Sequence, residues 1–197
     1  MKRIFFLTLF LIINLTSLNI AYSISPDVFI QSTVNRASQL LSKDISKDEK
    51  MSQLKLIAKE TVDMRGIGFY SLGSARKSLN ENQKKTYSDL FENYFLKSFS
   101  SRLAEYTNPE IEVKNKKVLS KNYTIVNSVL VSTADRPEIS INWRVYTKNP
   151  DNPLIRDLII EGLSLARTQK EEFSSILNSN EGDIDALFKK LEEFSKN

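Results

Sequence analysis

The segment Glu161-Gly162-Leu163-Ser164-Leu165-Ala166 is the part of this chain that most invites a covalent mechanism. A glycine two residues before a serine, between an apolar run and a helix-like stretch, approaches the G-x-S-x-G elbow that exposes a nucleophilic serine. A serine hydroxyl attacks a carbonyl only after a base has taken its proton, and in most hydrolases that base is histidine. The chain has no histidine and no cysteine. Thiol catalysis, disulfides, thiolate zinc sites and lipid attachment at a cysteine are therefore excluded. A Ser-Lys pair passes that filter, but no S-x-x-K here carries supporting motifs. The plainer reading makes Glu161-Gly162 a bulge or a close backbone approach, with Ser164 shortly before a helix.

Other chemistries fail on spacing. Gly66, Gly68 and Gly73 fall in one stretch, but their spacing is wrong for a dinucleotide site and a helix precedes them where a strand is needed. Asp183 and Asp185 lack the further oxygen ligands of a calcium loop, so no metal site is expected. The formal charge of +4 comes from dispersed basic residues and gives no case for nucleic acid. No catalytic residues are assigned.

The elements that position these residues begin after a leader. Met1-Lys2-Arg3, an apolar run from Ile4 to Ile13 and the small residues Ala21-Tyr22-Ser23 make a signal peptide over residues 1–23. Asn14, Thr16, Ser17 and Asn19 break the run short of the roughly 20 residues a spanning helix needs. Cleavage after Ser23 leaves 174 of the 197 residues, and removing Lys2 and Arg3 lowers the charge from +4 to +2. With no cysteine after the cleavage site there is no lipoprotein anchor, and packing alone must hold the single domain of residues 24–197.

That domain reads as helical over 26–106, as sheet over 110–165, and as helical again over 167–195. Pro26 opens a first amphipathic helix to about Leu41. Ser46 with Glu49, and Asn80 with Gln83 behind Leu79, are capping-box starts. The helix after Asn80 carries Tyr87, Leu90, Phe91, Tyr94, Phe95, Phe99, Leu103 and Tyr106 on one broad stripe, suited to a sheet-facing core or to the wall of an apolar cavity. After Pro109 the period becomes alternating. Tyr123, Ile125, Val129 and Val131 form one set, and Ile139, Ile141, Trp143 and Val145, opposed by Ser140, Asn142 and Arg144, form a cleaner one. Turn signals between them predict consecutive antiparallel pairing, with a fourth strand over Leu154–Leu165. The class is α+β: a meandering curved sheet between helices, a cone with room for a pocket.

Val62-Asp63, Leu72-Gly73, Gln83, Phe91 with Tyr94, Leu103 with Tyr106, Trp143-Arg144-Val145, and the segment Asp157 to Leu165 followed by Phe173 resemble the MlaC family of periplasmic phospholipid-binding proteins. The D-x-x-x-E-G-x-S-L segment is the most specific part. Ala75 stands where an aromatic is common, and Asn152-Pro153-Leu154 replaces the usual glycine-tryptophan turn.

The resemblance implies an NTF2-like curved antiparallel sheet packed against N-terminal and C-terminal helices around an apolar pocket, with phospholipid as cargo and no cofactor. It also implies partners, an inner-membrane MCE-domain ABC transporter complex and an outer-membrane lipoprotein–porin complex, for a monomeric periplasmic shuttle. Moving two chains of about 30 carbons through water would cost more than about 20 kcal/mol at about 0.8 kcal/mol per CH₂ unless they are covered. Leu90, Tyr94, Phe95, Phe99, Ile141, Trp143, Ile159 and Leu163 are the expected tail-binding wall, and Lys97, Arg102 and Arg144 the expected headgroup neighbours. The alternatives are a serine lipid hydrolase using Ser164 and a ligand-free periplasmic interaction domain.

Overall fold

Apolar residues at helical spacing behind Pro26 form α1, Pro26–Leu41, in a computed structural model that describes residues 23–134 and 136–196. The expected signal peptide lies outside the described residues, apart from Ser23 at its end. Ser46 accepts the Glu49 amide at 3.2 Å and starts α2, Lys47–Thr61. Asn80 and Gln83 form a reciprocal capping box, with bonds of 2.9 and 3.0 Å, that starts α4, Glu81–Leu103.

Between them lies α3, Met64–Ser71, a helix that the glycine-rich stretch conceals. Asp63 caps it by accepting the Gly66 amide at 2.8 Å. The glycines serve close approach. A Cβ on Gly68 would sit 2.8 Å from the Phe91 ring, and one on Gly66 would sit 2.5 Å from the Asp63 carboxylate and 2.9 Å from Arg156 Nε. Tyr87, fully buried, donates its hydroxyl to the Gly68 carbonyl at 2.8 Å, so the α3–α4 contact is both packed and bonded.

The strands are β1 (Ile111–Ser120), β2 (Tyr123–Leu130), β3 (Ile139–Tyr146), β4 (Leu154–Ile160) and β5 (Leu163–Ser164), paired antiparallel in chain order. The fold is α+β with a curved five-stranded sheet, as the alternation predicts. Two details differ. The expected single strand over Leu154–Leu165 is a hairpin, because Glu161 (φ 48°) and Gly162 (φ 83°) turn the chain, and Leu165 already begins α5, Leu165–Ser179. Two successive positive φ values suit the right-handed twist of a two-residue hairpin. Gly162 is thus a turn residue and no close approach, with nothing within 4 Å of where its Cβ would be.

In β2 the buried side chains are Thr124, Val126, Ser128 and Leu130, so the set Tyr123, Ile125 and Val129 faces the other way. Register joins the first set to Ile139, Ile141, Trp143 and Val145 of β3. That face meets the helices: Val126, Val145 and Ile155 are buried in one cluster with Ile30, Val34, Ala58, Val62, Tyr87 and Phe91. A last helix, α6 (Ile184–Lys196), packs on α4 and α5. At the outer edge of β1, the Gln31 carboxamide of α1 accepts the Val113 amide at 3.2 Å and reaches the Ile111 carbonyl at 3.5 Å.

Candidate functional site

Ser164 is the N-cap of α5. Its oxygen accepts the Arg167 amide at 3.1 Å, and its hydroxyl donates to Asp157 Oδ2 at 2.7 Å. Asp157 Oδ1 accepts the Ala166 amide at 3.0 Å, so two of the unpaired N–H groups at the helix start are satisfied. Asp157 is buried and places both oxygens on this cap. Glu161 takes the Ser140 amide and returns its own amide to the Ser140 carbonyl at 3.0 Å. The D-x-x-x-E-G-x-S segment is therefore a strand–turn–cap joint that orients α5. A serine whose hydroxyl is committed to a carboxylate and whose lone pair is committed to an amide is a structural cap.

The apolar face of the sheet has two unlike ends. Toward the start of β4, Val126 and Val145 are fully buried and Ile155 nearly so. Toward the start of β1 and the end of β4, register places Ile111, Val113, Leu130, Ile141, Trp143, Leu158 and Ile160 side by side on the same face. Of these only Leu130 and Ile141 are buried, and the rest keep part of their surface in contact with solvent. The Trp143 indole donates to Ser128 Oγ at 2.8 Å, and Ser128 donates onward to the Ile141 carbonyl at 2.8 Å. With that polar edge satisfied, the ring presents only apolar surface.

The α4 aromatics change environment along the helix in the same way. Tyr87 and Phe91 are sealed, while Phe95 and Phe99 are half-buried and stacked on each other, with ring centroids 5.7 Å apart at 11°. Tyr94 turns instead toward α5 and α6. Its hydroxyl donates to Gln169 Oε1 at 2.9 Å, and burial, with Glu172 nearby, pushes that hydroxyl's pKa up. It helps line a crevice of about 370 Å³ with Phe173, Ile176, Leu187, Leu191 and Phe194. A second, more polar groove of about 720 Å³ runs along α5, lined by Tyr70, Arg167, Lys170 and Ser174 among others.

Of the expected wall, Ile141 and Trp143 share the apolar sheet face, and Leu90, Phe95 and Phe99 pack on the core from α4. Leu163 pairs with Ile160 but is 59 % exposed. Ile159 does not belong with Ile141 and Trp143. It pairs with Asn142 and Ser164, on the opposite face, and Leu158 and Ile160 hold the positions beside Trp143 and Ile141. The expected cations do not converge. Lys97 donates to the Ser195 carbonyl at 3.4 Å and lies over the Phe194 ring, which fastens α6 to α4. Arg102 is exposed in the last turn of α4, and Arg144 is on the sheet face away from Trp143.

Sequence reasoning missed a polar cluster at the β4 bulge. The register shift between Arg144 and Val145 leaves Arg156 as the extra residue. Its guanidinium donates to Asp63 Oδ2 and to the Tyr123 hydroxyl, each at 2.6 Å, and lies 3.6 Å above the Tyr146 ring. Burial alone would lower the Arg156 pKa, but the bonds to Asp63 and Tyr123 outweigh it and hold the guanidinium more firmly protonated. The cluster ties the start of α3 to β4, where Asp63 also donates its amide to the Ile155 carbonyl at 2.9 Å. No local signal marks it, because Asp63 and Arg156 are 93 residues apart.

Among the described residues no group of three or more carboxylates could hold a metal ion, and no helix is long and apolar enough to cross a membrane. An α+β domain with a partly open apolar sheet face and a capping rather than a nucleophilic serine has the construction of a binding protein. Residues 31–193 match the family model described as MlaC protein, and the chain belongs to that family. The fold is similar to that of a solved phospholipid-binding protein from Ralstonia solanacearum in complex with a phospholipid. The TM-score is 0.74 at 17 % identity, over 88 % of this chain and 98 % of that one. None of the curated proteins matches. The family points to binding and transport rather than catalysis, and in the Ralstonia solanacearum protein the phospholipid is a bound ligand.

Proposed function

We propose that this chain is a soluble periplasmic phospholipid carrier, a single domain over residues 24–197 released by removal of residues 1–23. It passes glycerophospholipids between an outer-membrane lipoprotein–porin complex and an inner-membrane MCE-domain ABC transporter, and so helps maintain outer-membrane lipid asymmetry. The observation that carries the reading is the run of apolar side chains on the incompletely sealed end of the sheet face. A core meant only for stability would close over them, since apolar surface left in water forgoes about 25 cal/mol per Å².

In this reading the acyl tails lie against Ile141, Trp143, Leu158 and Ile160, with Leu90, Phe95 and Phe99 of α4 opposite. Tyr94 and its crevice extend the apolar volume toward α6, and Leu163 lies at the margin. Arg102 remains the headgroup neighbour, while Lys97 is engaged with α6 and Arg144 lies on the other face of the sheet. The carrier needs no catalytic residue because it moves a lipid without making or breaking a bond.

Native mass spectrometry of residues 24–197, purified without detergent, tests the reading. A bound mass that resolves to phospholipid on denaturation is expected. An apo mass that persists after incubation with phospholipid vesicles contradicts it and leaves a packed interaction domain.

A further inference from the structure

The end of the sheet farthest from the open apolar face has a different surface. From Val113 to Ala134 the chain contains no acidic residue, yet it carries Lys114, Lys116, Lys117 and Lys121. Two of these are neutralised: Lys114 pairs with Glu112, and Lys116 pairs with Asp27 at 2.7 Å. Lys117 and Lys121 are exposed and have no ion pair among the described residues. Between them Val118 is 69 % exposed and Leu119 49 %. Successive strand residues point to opposite faces, so the β1–β2 hairpin carries apolar and basic side chains on both sides of its tip.

Other elements join it. The Thr147 amide donates to the Asn122 carbonyl at 2.9 Å, which brings exposed Lys148 alongside the tip. The Ile24 amide donates to the Pro150 carbonyl at 3.0 Å, and the Lys116–Asp27 pair fixes the first turn of α1 on β1. Ile24 and Val28 are exposed there as well. Asp151 is the exposed acid in the same loop.

We propose that this end, with the β1–β2 hairpin tip at its centre, is a docking surface for an anionic lipid bilayer. Lysine with bare aliphatic side chains suits a bilayer, where ammonium groups meet lipid phosphates and short apolar groups reach the acyl boundary. A protein partner is less well matched, because interface cores are depleted in lysine, and the aromatics and arginine at this end, Tyr123, Tyr146 and Arg156, are already bonded and stacked on one another. The inference goes beyond the carrier reading and does not depend on it, since none of these residues lies at the open end of the sheet face.

The test is co-sedimentation of residues 24–197, which contain every described element, with vesicles of phosphatidylcholine alone or with 30 % phosphatidylglycerol. The expected result is binding to the anionic vesicles only, abolished by raising the salt. Lys117→Gln with Lys121→Gln should weaken it by about 25-fold, at about five-fold per lysine. Val118→Ser with Leu119→Ser should weaken it also, and both pairs are exposed enough to leave the circular dichroism unchanged. Absence of vesicle binding, or binding that these variants do not alter, overturns the proposal. Salt-sensitive binding to poly-glutamate without binding to vesicles overturns it in favour of an acidic protein. Lipid retained by the lysine variant in native mass spectrometry separates a failure here from a failure of the carrier reading.

Discussion

Ser164 and Asp157 form one capping unit: the serine hydroxyl donates to the aspartate at 2.7 Å while its oxygen receives the Arg167 amide at 3.1 Å. Ser164→Ala should lower stability by about 1 kcal/mol, the usual cost of losing an N-cap. Asp157→Ala should cost about 1–3 kcal/mol, because the buried Ala166 amide loses its acceptor. Urea denaturation measures both, and the double variant should cost less than the sum because the two residues share one bond. Ser164→Ala should keep its bound lipid. Loss of a lipid-cleaving activity in that variant, with stability unchanged, would restore the nucleophile reading.

Helix propensity and close packing make opposite forecasts for α3. Replacing an interior helical glycine with alanine gains about 1 kcal/mol where space allows. Gly68→Ala instead places a methyl 2.8 Å from the buried Phe91 ring, and should destabilise by about 1–3 kcal/mol. Gly162→Ala has open space but a φ of 83°, and should cost about 1 kcal/mol through the backbone alone. Thermal unfolding of the two variants checks this, and a gain in stability for Gly68→Ala would show that α3 and α4 are not packed as described.

Arg156 meets three groups at once, so the identity of its cation matters. Arg156→Ala should cost about 2 kcal/mol by leaving Asp63 without its partner and uncovering Tyr146. Arg156→Lys should recover only part of that, because an ammonium cannot span Asp63 and Tyr123 while lying flat on a ring. Equal stability of the lysine variant and the natural protein would contradict this geometry.

The Asp27–Lys116 pair predicts a pH effect. Hydrogen bonds from Lys116 and then Ser25 lower the Asp27 pKa from 3.8 to about 2. A carboxylate with a depressed folded-state pKa contributes stability above about pH 4 and loses it as the pH falls toward 2. Since both side chains remain more than a third exposed, the contribution should stay below about 1 kcal/mol. Asp27→Asn should narrow the stability difference between pH 5 and pH 2.5 by that amount. An unchanged acid profile would show that the pair is not formed in solution.

Local signals were readable in the chain and long-range ones were not. The Asn80–Gln83 capping box, the Ser46 N-cap and the alternation of Ile139, Ile141, Trp143 and Val145 are short-range patterns with a direct backbone cause, and the structure follows them, although Glu49 does not return the second bond of a capping box. The more apolar set of β2, Tyr123, Ile125 and Val129, does not mark its buried face, which carries Thr124 and Ser128. Burial there follows the partner strand, whose Ile141 and Val145 fix the register. Ile159 falls outside the expected wall because the Arg156 bulge shifts the alternation along β4, so that Ile155, Leu158 and Ile160 share a face. The Asp63–Arg156 joint exists only after the chain ends of α2 and β4 have met.

Trp143, the single tryptophan, stands on the face proposed to hold the tails, and this makes the central claim directly measurable. Residues 24–197 should be loaded with phospholipid brominated along its acyl chains and the intrinsic fluorescence recorded against unbrominated lipid. Strong quenching of Trp143 by the brominated lipid is the predicted result. Unquenched fluorescence in protein shown by mass to carry the brominated lipid would contradict it and move the tails away from this face of the sheet.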